Sequence, residues 1–145
     1  MGNVRARLAA DDPSLADLLT QIIYAPLAEG KFEEAEKLAR ECLSIREQKL
    51  PNDWRTYEAR ATVGTCLLHQ KRYGEAEVLL VSGCEGLRQH AFEIPEGWKP
   101  RARSDLDRLV QLYDATDRAD LASEWMKKRH EFDQPPGPHD ARTTQ

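Results

Sequence analysis

The stretch GKFEEAEKL, residues 30–38, recurs 41 positions later as KRYGEAEVL, residues 71–79. Both copies carry an aromatic residue at the third position, an alanine at the sixth, a glutamate at the seventh and a leucine at the ninth. The coinciding residues are Phe32 and Tyr73, Ala35 and Ala76, Glu36 and Glu77, and Leu38 and Leu79. A repeat of this period is typical of proteins built from stacked helix pairs.

A third copy, DLASEW at residues 120–125, aligns with residues 74–79 at an offset of 46. It places Ala122 on the shared alanine. The additional positions fall in the irregular stretch 91–100, which contains two prolines and a glycine. Because one helix pair cannot bury its apolar face alone, we expect three consecutive copies to stack around a continuous core.

Each copy has the pattern of two helices joined by a short turn. In the second helix of the first copy, Ala35, Ala39, Cys42 and Ile45 follow the three-to-four spacing of one helical face, and charged residues fill the other face. No segment alternates as a half-buried strand does, so the predicted fold class is all-α. The six predicted helices span residues 14–29, 33–49, 55–70, 74–90, 104–115 and 119–130.

Two serines and a proline predict where helices begin and end. Ser14 and Ser104 are suitable N-cap residues, because their hydroxyls can accept a hydrogen bond from a free backbone N–H of the first turn. Pro26 lies within the first helix and lacks the N–H that would bond the Ile22 carbonyl. We therefore expect a kink or an early end at Pro26.

The length of 145 residues fits one domain. We predict an N-terminal arm over residues 1–13, a repeat domain of three stacked antiparallel helix pairs over residues 14–132, and a tail over residues 133–145. The tail has three prolines, a glycine and no apolar run, so it is expected to be disordered.

The charge and cysteine content exclude several classes of protein. The 21 basic and 25 acidic residues are interleaved and give a net charge of −4, whereas nucleic-acid binding depends on a basic surface. No run approaches the roughly 18 apolar residues of a membrane span. Residues 1–10 lack the apolar segment of a secretory signal. Three cysteines are too few and odd in number for a disulfide framework, so we expect a cytoplasmic protein with reduced, buried thiols.

Small residues at recurring positions predict close contacts between helices. A bulky side chain at a close crossing would push two helices apart, so Ala35, Ala76, Ala122 and Gly64 are expected at such contacts. The aromatic residues Phe32 and Tyr73 are expected to wedge at the turns. Trp54 and Trp98, in the loops between copies, either fill the gaps between stacked pairs, which we favour, or are exposed for recognition.

These residues resemble tetratricopeptide repeats, and more narrowly the kinesin-light-chain-like variety of about 42 residues that is common in bacteria. The matching positions are Ile22, Gly30, Phe32 and Ala35 in the first copy, Val63, Gly64, Tyr73 and Ala76 in the second, and Leu109, Tyr113 and Ala122 in the third. The run from Glu34 to Trp125 is also similar to the C-terminal repeats of some bacterial serine/threonine protein kinases. The kinase motifs themselves do not occur in the sequence.

The resemblance implies a short right-handed superhelix whose first helices line a concave groove. The residues implied to face the groove are Asp17, Thr20, Tyr24 and Leu27 in the first copy, Glu58, Ala61, Thr65, Leu68 and His69 in the second, and Asp107, Gln111 and Asp114 in the third. Tyr24 and Leu68 are the expected apolar anchors. Acidic residues fringe the groove, and the basic clamp with which some members hold a carboxylate is absent. The expected partner is therefore a basic or apolar peptide or protein.

We predict no catalytic residues, metal site or cofactor. Cys66 and His69 lie three positions apart, which suits two zinc ligands, but nothing supplies a second pair. No nucleophile elbow, phosphate-binding loop or metal signature occurs. The sequence therefore favours a non-catalytic protein–protein interaction module, such as a signalling adaptor. The alternative is a structural or capping segment that self-associates or stacks on other helical repeats.

Overall fold

A computed structural model describes residues 12–133, and these residues contain α-helices and no β-strand. The helices are α1 Pro13–Ala28, α2 Phe32–Lys49, α3 Trp54–His69, α4 Tyr73–Gln89, α5 Lys99–Ala115 and α6 Ala119–Asp133. Two short 3₁₀ turns, Ala91–Glu93 and Glu96–Trp98, connect α4 to α5. The predicted all-α class is confirmed. Of the predicted arm over residues 1–13 and tail over residues 133–145, residues 1–11 and 134–145 lie outside the described part, while Pro13 and Asp133 belong to helices.

Two predicted helix starts are wrong. Asp12, not Ser14, caps α1: its Oδ1 accepts a hydrogen bond from the Ser14 backbone N–H at 2.8 Å. Helix α5 begins at Lys99, so Ser104 lies inside the helix rather than at its N-cap. Pro100 in the first turn permits this earlier start, because the N–H that proline lacks has no partner at that position anyway.

The turn inside each helix pair has the same backbone conformation three times. Gly30, Lys71 and Asp117 have positive φ angles of 78°, 62° and 58°. The next residue in each turn donates its N–H to a carbonyl five positions back, at 2.8, 3.0 and 2.9 Å. This is the Schellman turn, which ends a helix through a left-handed residue. The positions 30, 71 and 117 repeat at the offsets of 41 and 46, so the sequence repeat is also a repeat of local structure.

Consecutive helices run antiparallel. Arg46 at the end of α2 contacts Asp17 at the start of α1, and Arg103 early in α5 bonds Asp133 at the end of α6. Between α2 and α3, the Glu36 side chain accepts a hydrogen bond from Gln70 at 2.9 Å. Each helix therefore packs mainly on its neighbours in the chain, and the pairs lie side by side in chain order.

The predicted small residues lie in the core. Ala35, Ala76 and Ala122 are buried in α2, α4 and α6. A Cβ atom on Gly64 would meet the Leu80 side chain at 2.7 Å, so α3 and α4 approach closely there. The sequence interpretation missed two further close contacts in α4, at Gly83 and Gly86, which lie against α3.

One ion-pair arrangement joins each helix pair to the next. Glu36 of α2 accepts a hydrogen bond from Arg72, which precedes α4, at 3.0 Å. Glu77 of α4 accepts from Arg118, which precedes α6, at 2.8 Å. The glutamates coincide at the offset of 41 and the arginines at 46, so both junctions are held in the same way. The third copy has Ser123 at the glutamate position.

Pro26 lies within the last turn of α1 and does not end the helix at its own position. The helix continues through Pro26 and stops two residues later, at Ala28. No helix within residues 12–133 combines the length and the apolar composition that crossing a bilayer requires.

Candidate functional site

A groove runs along the first helices of the three pairs, α1, α3 and α5. It consists of two adjoining cavities of about 410 and 670 Å³. Tyr24, Glu58, Thr62 and Arg101 line both cavities, so these residues form the middle of the groove. We call the smaller cavity, which reaches Asp17 and Arg46, the first cavity, and the larger one, which reaches Phe32 and His69, the second cavity.

Most residues expected from the first two copies line this groove. In the first cavity lie Asp17, Thr20, Tyr24 and Glu58. In the second cavity lie Tyr24, Leu27, Glu58, Thr65 and His69. The first helices of pairs one and two thus face a common cleft.

The remaining expected residues lie elsewhere. Ala61 packs against Gly83, and Leu68 is only 4% exposed; neither lines a cavity. Asp107, Gln111 and Asp114 are exposed and lie outside both cavities. Instead, α5 presents Arg101, Ser104, Asp105 and Arg108 to the groove. The reason is that Leu106, Leu109 and Leu112 face the core, which turns Asp107 toward α6, where it accepts a hydrogen bond from Arg129.

The first cavity contains a buried arginine. Arg46 is buried, and its Nη2 donates to the Asp17 carboxylate at 2.9 Å. A buried guanidinium needs such a partner, because an unpaired buried charge is strongly destabilising. Trp54 and Trp98 also line this cavity and meet edge to face with centroids 5.4 Å apart. Trp54 therefore fills the gap between pairs, as predicted.

Glu58 is the central polar residue of the groove. Its side chain is buried in α3, and its Oε1 accepts hydrogen bonds from Tyr24 Oη at 3.3 Å and from Thr62 Oγ1 at 2.9 Å. Burial, followed by the charge of Glu58, raises the pKa of the Tyr24 hydroxyl far above its usual range. Tyr24 therefore remains a hydrogen-bond donor at any physiological pH.

A second buried carboxyl group lies beside the first. Asp105 of α5 hydrogen-bonds to Glu58, so the two groups join the second and third helix pairs. Burial, reinforced by the neighbouring charge of Glu58, raises the pKa of Asp105 well above its ordinary value. A hydrogen bond between two carboxyl groups requires one proton, and the raised pKa favours Asp105 as its holder, so the Asp105 O–H donates to Glu58. The second oxygens of both carboxyl groups are buried and have no other hydrogen-bond partner.

Arg101 lies over the middle of the groove. Its Cζ is 3.8 Å from the ring centroid of Tyr24 and 4.4 Å from that of Trp98. The guanidinium thus contacts aromatic rings from α1 and from the loop before α5. Such cation–π contacts contribute about 0.5–2 kcal/mol each. Within residues 12–133, Arg101 makes no hydrogen bond and no close ion pair, although its charge acts on Asp105.

The second cavity ends at a pair of stacked rings. Phe32 and His69 lie 4.4 Å apart with nearly parallel planes. Burial, followed by the positive charge of Arg108, lowers the pKa of His69, so the imidazole is neutral at pH 7. This end of the groove therefore offers an apolar and aromatic surface.

The three cysteines are buried, as predicted. Burial raises the pKa of Cys66 to about 12 and the pKa of Cys84 well above its usual value. They remain thiols at neutral pH, and thiols are poor nucleophiles. In the part of the chain that the structure describes, no group of three or more histidine, cysteine or acidic residues is placed to hold a metal ion.

The sequence interpretation missed Arg101 and Asp105. The predicted third copy began its first helix at Ser104, which excluded Arg101 from any helix. The sequence nevertheless indicated Asp105, because it lies on the same helical face as the apolar residues Ala102, Leu106 and Leu109. A carboxyl group on a core face requires a buried partner.

The comparisons with known proteins do not place the chain in a family. A scan against protein-family models gives no match, and a search of curated proteins gives none either.

Proposed function

We propose that this chain is a non-catalytic protein–protein interaction module of the tetratricopeptide-repeat type, whose three helix pairs form a short right-handed superhelix. The observation that carries the proposal is the groove, which α1, α3 and α5 line together. The threefold Schellman turn and the two equivalent glutamate–arginine pairs support the assignment to a helical-repeat class. Repeat proteins of this architecture use concave surfaces for binding.

The chemistry of the groove fits a peptide. Tyr24, Trp98, Phe32 and His69 supply aromatic surface along its length. Aromatic anchors with a polar rim carry most of the binding energy at protein interfaces. Glu58 supplies acceptor oxygens at the centre. We therefore propose a basic or apolar protein segment as the partner, in the manner of a cytoplasmic signalling adaptor.

We propose no catalytic role for the carboxyl pair. Glu58 and Asp105 are 7% and 8% exposed. Tyr24 and Thr62 occupy one oxygen of Glu58, and Asp105 bonds to Glu58 itself. These bonds join three helices, which is sufficient reason for the pair to be present. No thiolate is formed nearby, because burial raises the pKa of Cys84 as well.

The test compares one substitution at two exposed serines. Ser104 lines the second cavity, whereas Ser123 is exposed on α6 and lines neither cavity. Native cell extract is passed over immobilised wild type, Ser104→Arg and Ser123→Arg, and each captured protein is identified and re-tested in purified form. We expect a partner that binds the wild type and Ser123→Arg but not Ser104→Arg. Equal binding of the partner by all three proteins would show that the groove is not part of the interface.

Self-association is the second candidate, favoured by exposed apolar side chains on the second helices. Val78 of α4 is 69% exposed and Met126 of α6 is 58% exposed. In this alternative, the chain is a structural or capping segment of a larger helical assembly. Light scattering decides between the two: a Met126→Lys variant that converts a dimeric wild type to a monomer supports self-association, and a monomeric wild type excludes it.

A further inference from the structure

Arg101 occupies a position at which its own polar atoms are unused. The Tyr24 and Trp98 rings contact its guanidinium, but within the described residues no acceptor bonds its N–H groups. The side chain is exposed to solvent. Arginine is a five-fold donor whose planar fork matches a carboxylate in bidentate fashion. Its guanidinium therefore contacts the two rings without a hydrogen bond, and its charge acts on the nearby Asp105.

Arg101 has unused hydrogen-bond donors, whereas residues that line the second cavity beside it have unused acceptor oxygens. Apart from the bond between the two carboxyl groups, Glu58 Oε2, Asp105 Oδ2 and Thr65 Oγ1 are buried and have no hydrogen-bond partner, and all three residues line the second cavity. A buried acceptor without a partner costs about 1–3 kcal/mol. A donor that entered the cavity more deeply than Arg101 would recover this free energy.

The groups around this site favour a cation. Glu58 and Asp105 are the acidic groups at the floor, and Tyr24 faces them from α1 as a neutral hydroxyl. The opposing charges are Arg101 itself and Arg108 on α5. Displacing Arg101 leaves two aromatic rings beside the Glu58–Asp105 carboxyl pair. Ring faces attract guanidinium groups strongly when the pair is removed from water.

We infer that the groove binds an arginine side chain of its partner on the Tyr24 and Trp98 rings that Arg101 contacts in the free protein, with the guanidinium lying deeper in the second cavity. Arg101 is then an intramolecular competitor, which closes the site until a partner arginine displaces it. The incoming guanidinium stacks on Tyr24 and Trp98, reaches deeper than that of Arg101, and donates to the lone pairs that the Glu58–Asp105 bond leaves unused. This inference rests on the proposed function, since it specifies the segment that the groove binds.

The probe is the capped peptide acetyl-Gly-Arg-Gly-amide, with a citrulline peptide as its matched neutral control. Affinities for the wild type, Arg101→Gln and Arg101→Lys are measured by NMR titration of the tryptophan indole signals. Because Arg101 is exposed, its replacement leaves the buried core intact, and circular dichroism checks the helix content. We expect Arg101→Gln to bind the arginine peptide at least about tenfold more tightly than the wild type, which corresponds to about 1.4 kcal/mol. Arg101→Lys should lie between them, because lysine competes without planar stacking.

Two results would overturn the inference. One is equal affinity of the wild type and Arg101→Gln for the arginine peptide, and the other is equal binding of the citrulline peptide. A Glu58→Gln substitution added to Arg101→Gln should abolish the gain. If the arginine peptide does not bind Arg101→Gln more tightly than the wild type while Ser104→Arg still blocks partner capture, only this inference is refuted. If partner capture is insensitive to Ser104→Arg, the proposed function falls, whatever the peptide does.

Discussion

The contact between α3 and α4 predicts that Gly83→Ala destabilises the protein. A Cβ atom on Gly83 would lie 2.7 Å from the Tyr57 carbonyl oxygen and 2.8 Å from the Ala61 backbone nitrogen. Cβ contacts shorter than 3.0 Å essentially never occur in proteins, so α3 and α4 would have to separate by at least about 0.3 Å. The obstructing atoms belong to the main chain, which cannot rotate away as a side chain can.

The magnitude follows from two opposing terms. Replacing glycine by alanine inside a helix favours folding by about 1 kcal/mol. Overpacking costs about 1–3 kcal/mol, and a main-chain clash lies at the upper end of that range. We expect a net loss of about 2 kcal/mol in the free energy of unfolding, which lowers the urea midpoint by roughly 1 M for a domain of this size.

Gly74→Ala is the matched control. Gly74 lies in the first turn of the same helix, and nothing is within 4 Å of the position its Cβ would take. This substitution should leave stability unchanged or raise it by up to about 1 kcal/mol. Urea unfolding followed by circular dichroism gives both values. A Gly83→Ala protein as stable as Gly74→Ala would show that α3 and α4 are not in backbone contact, and the packing argument would be refuted.

Further predictions concern the turns and the polar links. Replacing Lys71 or Asp117 by glycine should raise the free energy of unfolding by up to about 1 kcal/mol, and Gly30→Ala should lower it by about 1 kcal/mol, because all three positions have a positive φ angle. Urea midpoints check these values. The free energy of unfolding of Asp105→Asn should exceed that of the wild type at pH 8, and this excess should shrink toward pH 4. The folded state binds the Asp105 proton more tightly than the unfolded state, so wild-type stability falls as pH rises above the ordinary aspartate range; denaturation at several pH values tests the trend. Glu77→Gln should cost less than about 1 kcal/mol, and less still in 1 M salt, because its pair with an arginine is partly exposed.

The all-helical architecture was predictable because the repeated pattern of helices and turns is local in the sequence. The offsets of 41 and 46 located all six helices, and the shared alanines identified the core face of each second helix. The left-handed turns were predictable only at Gly30, since Lys71 and Asp117 give no such signal on their own. Because the three turns are equivalent in the repeat, the left-handed conformation expected at Gly30 could have been extended to Lys71 and Asp117.

The groove was less predictable, because it depends on how α5 is rotated about its axis. The start of α5 at Lys99 brings Arg101 into the helix and over Tyr24 of α1, a contact between residues 77 positions apart. The pairing of Asp105 with Glu58 likewise depends on the packing of the third pair on the second. Neither arrangement can be obtained from spacing within one helix.

A photo-reactive amino acid at a single position tests the central claim most directly. It replaces Ser104, inside the groove, or Ser123, on the opposite helix of the third pair, and the protein is irradiated in native extract. We predict a covalent adduct with one partner protein from position 104 and none with that partner from position 123. An adduct with the same partner from position 123 alone, or only adducts between two copies of this chain, would contradict binding in the groove.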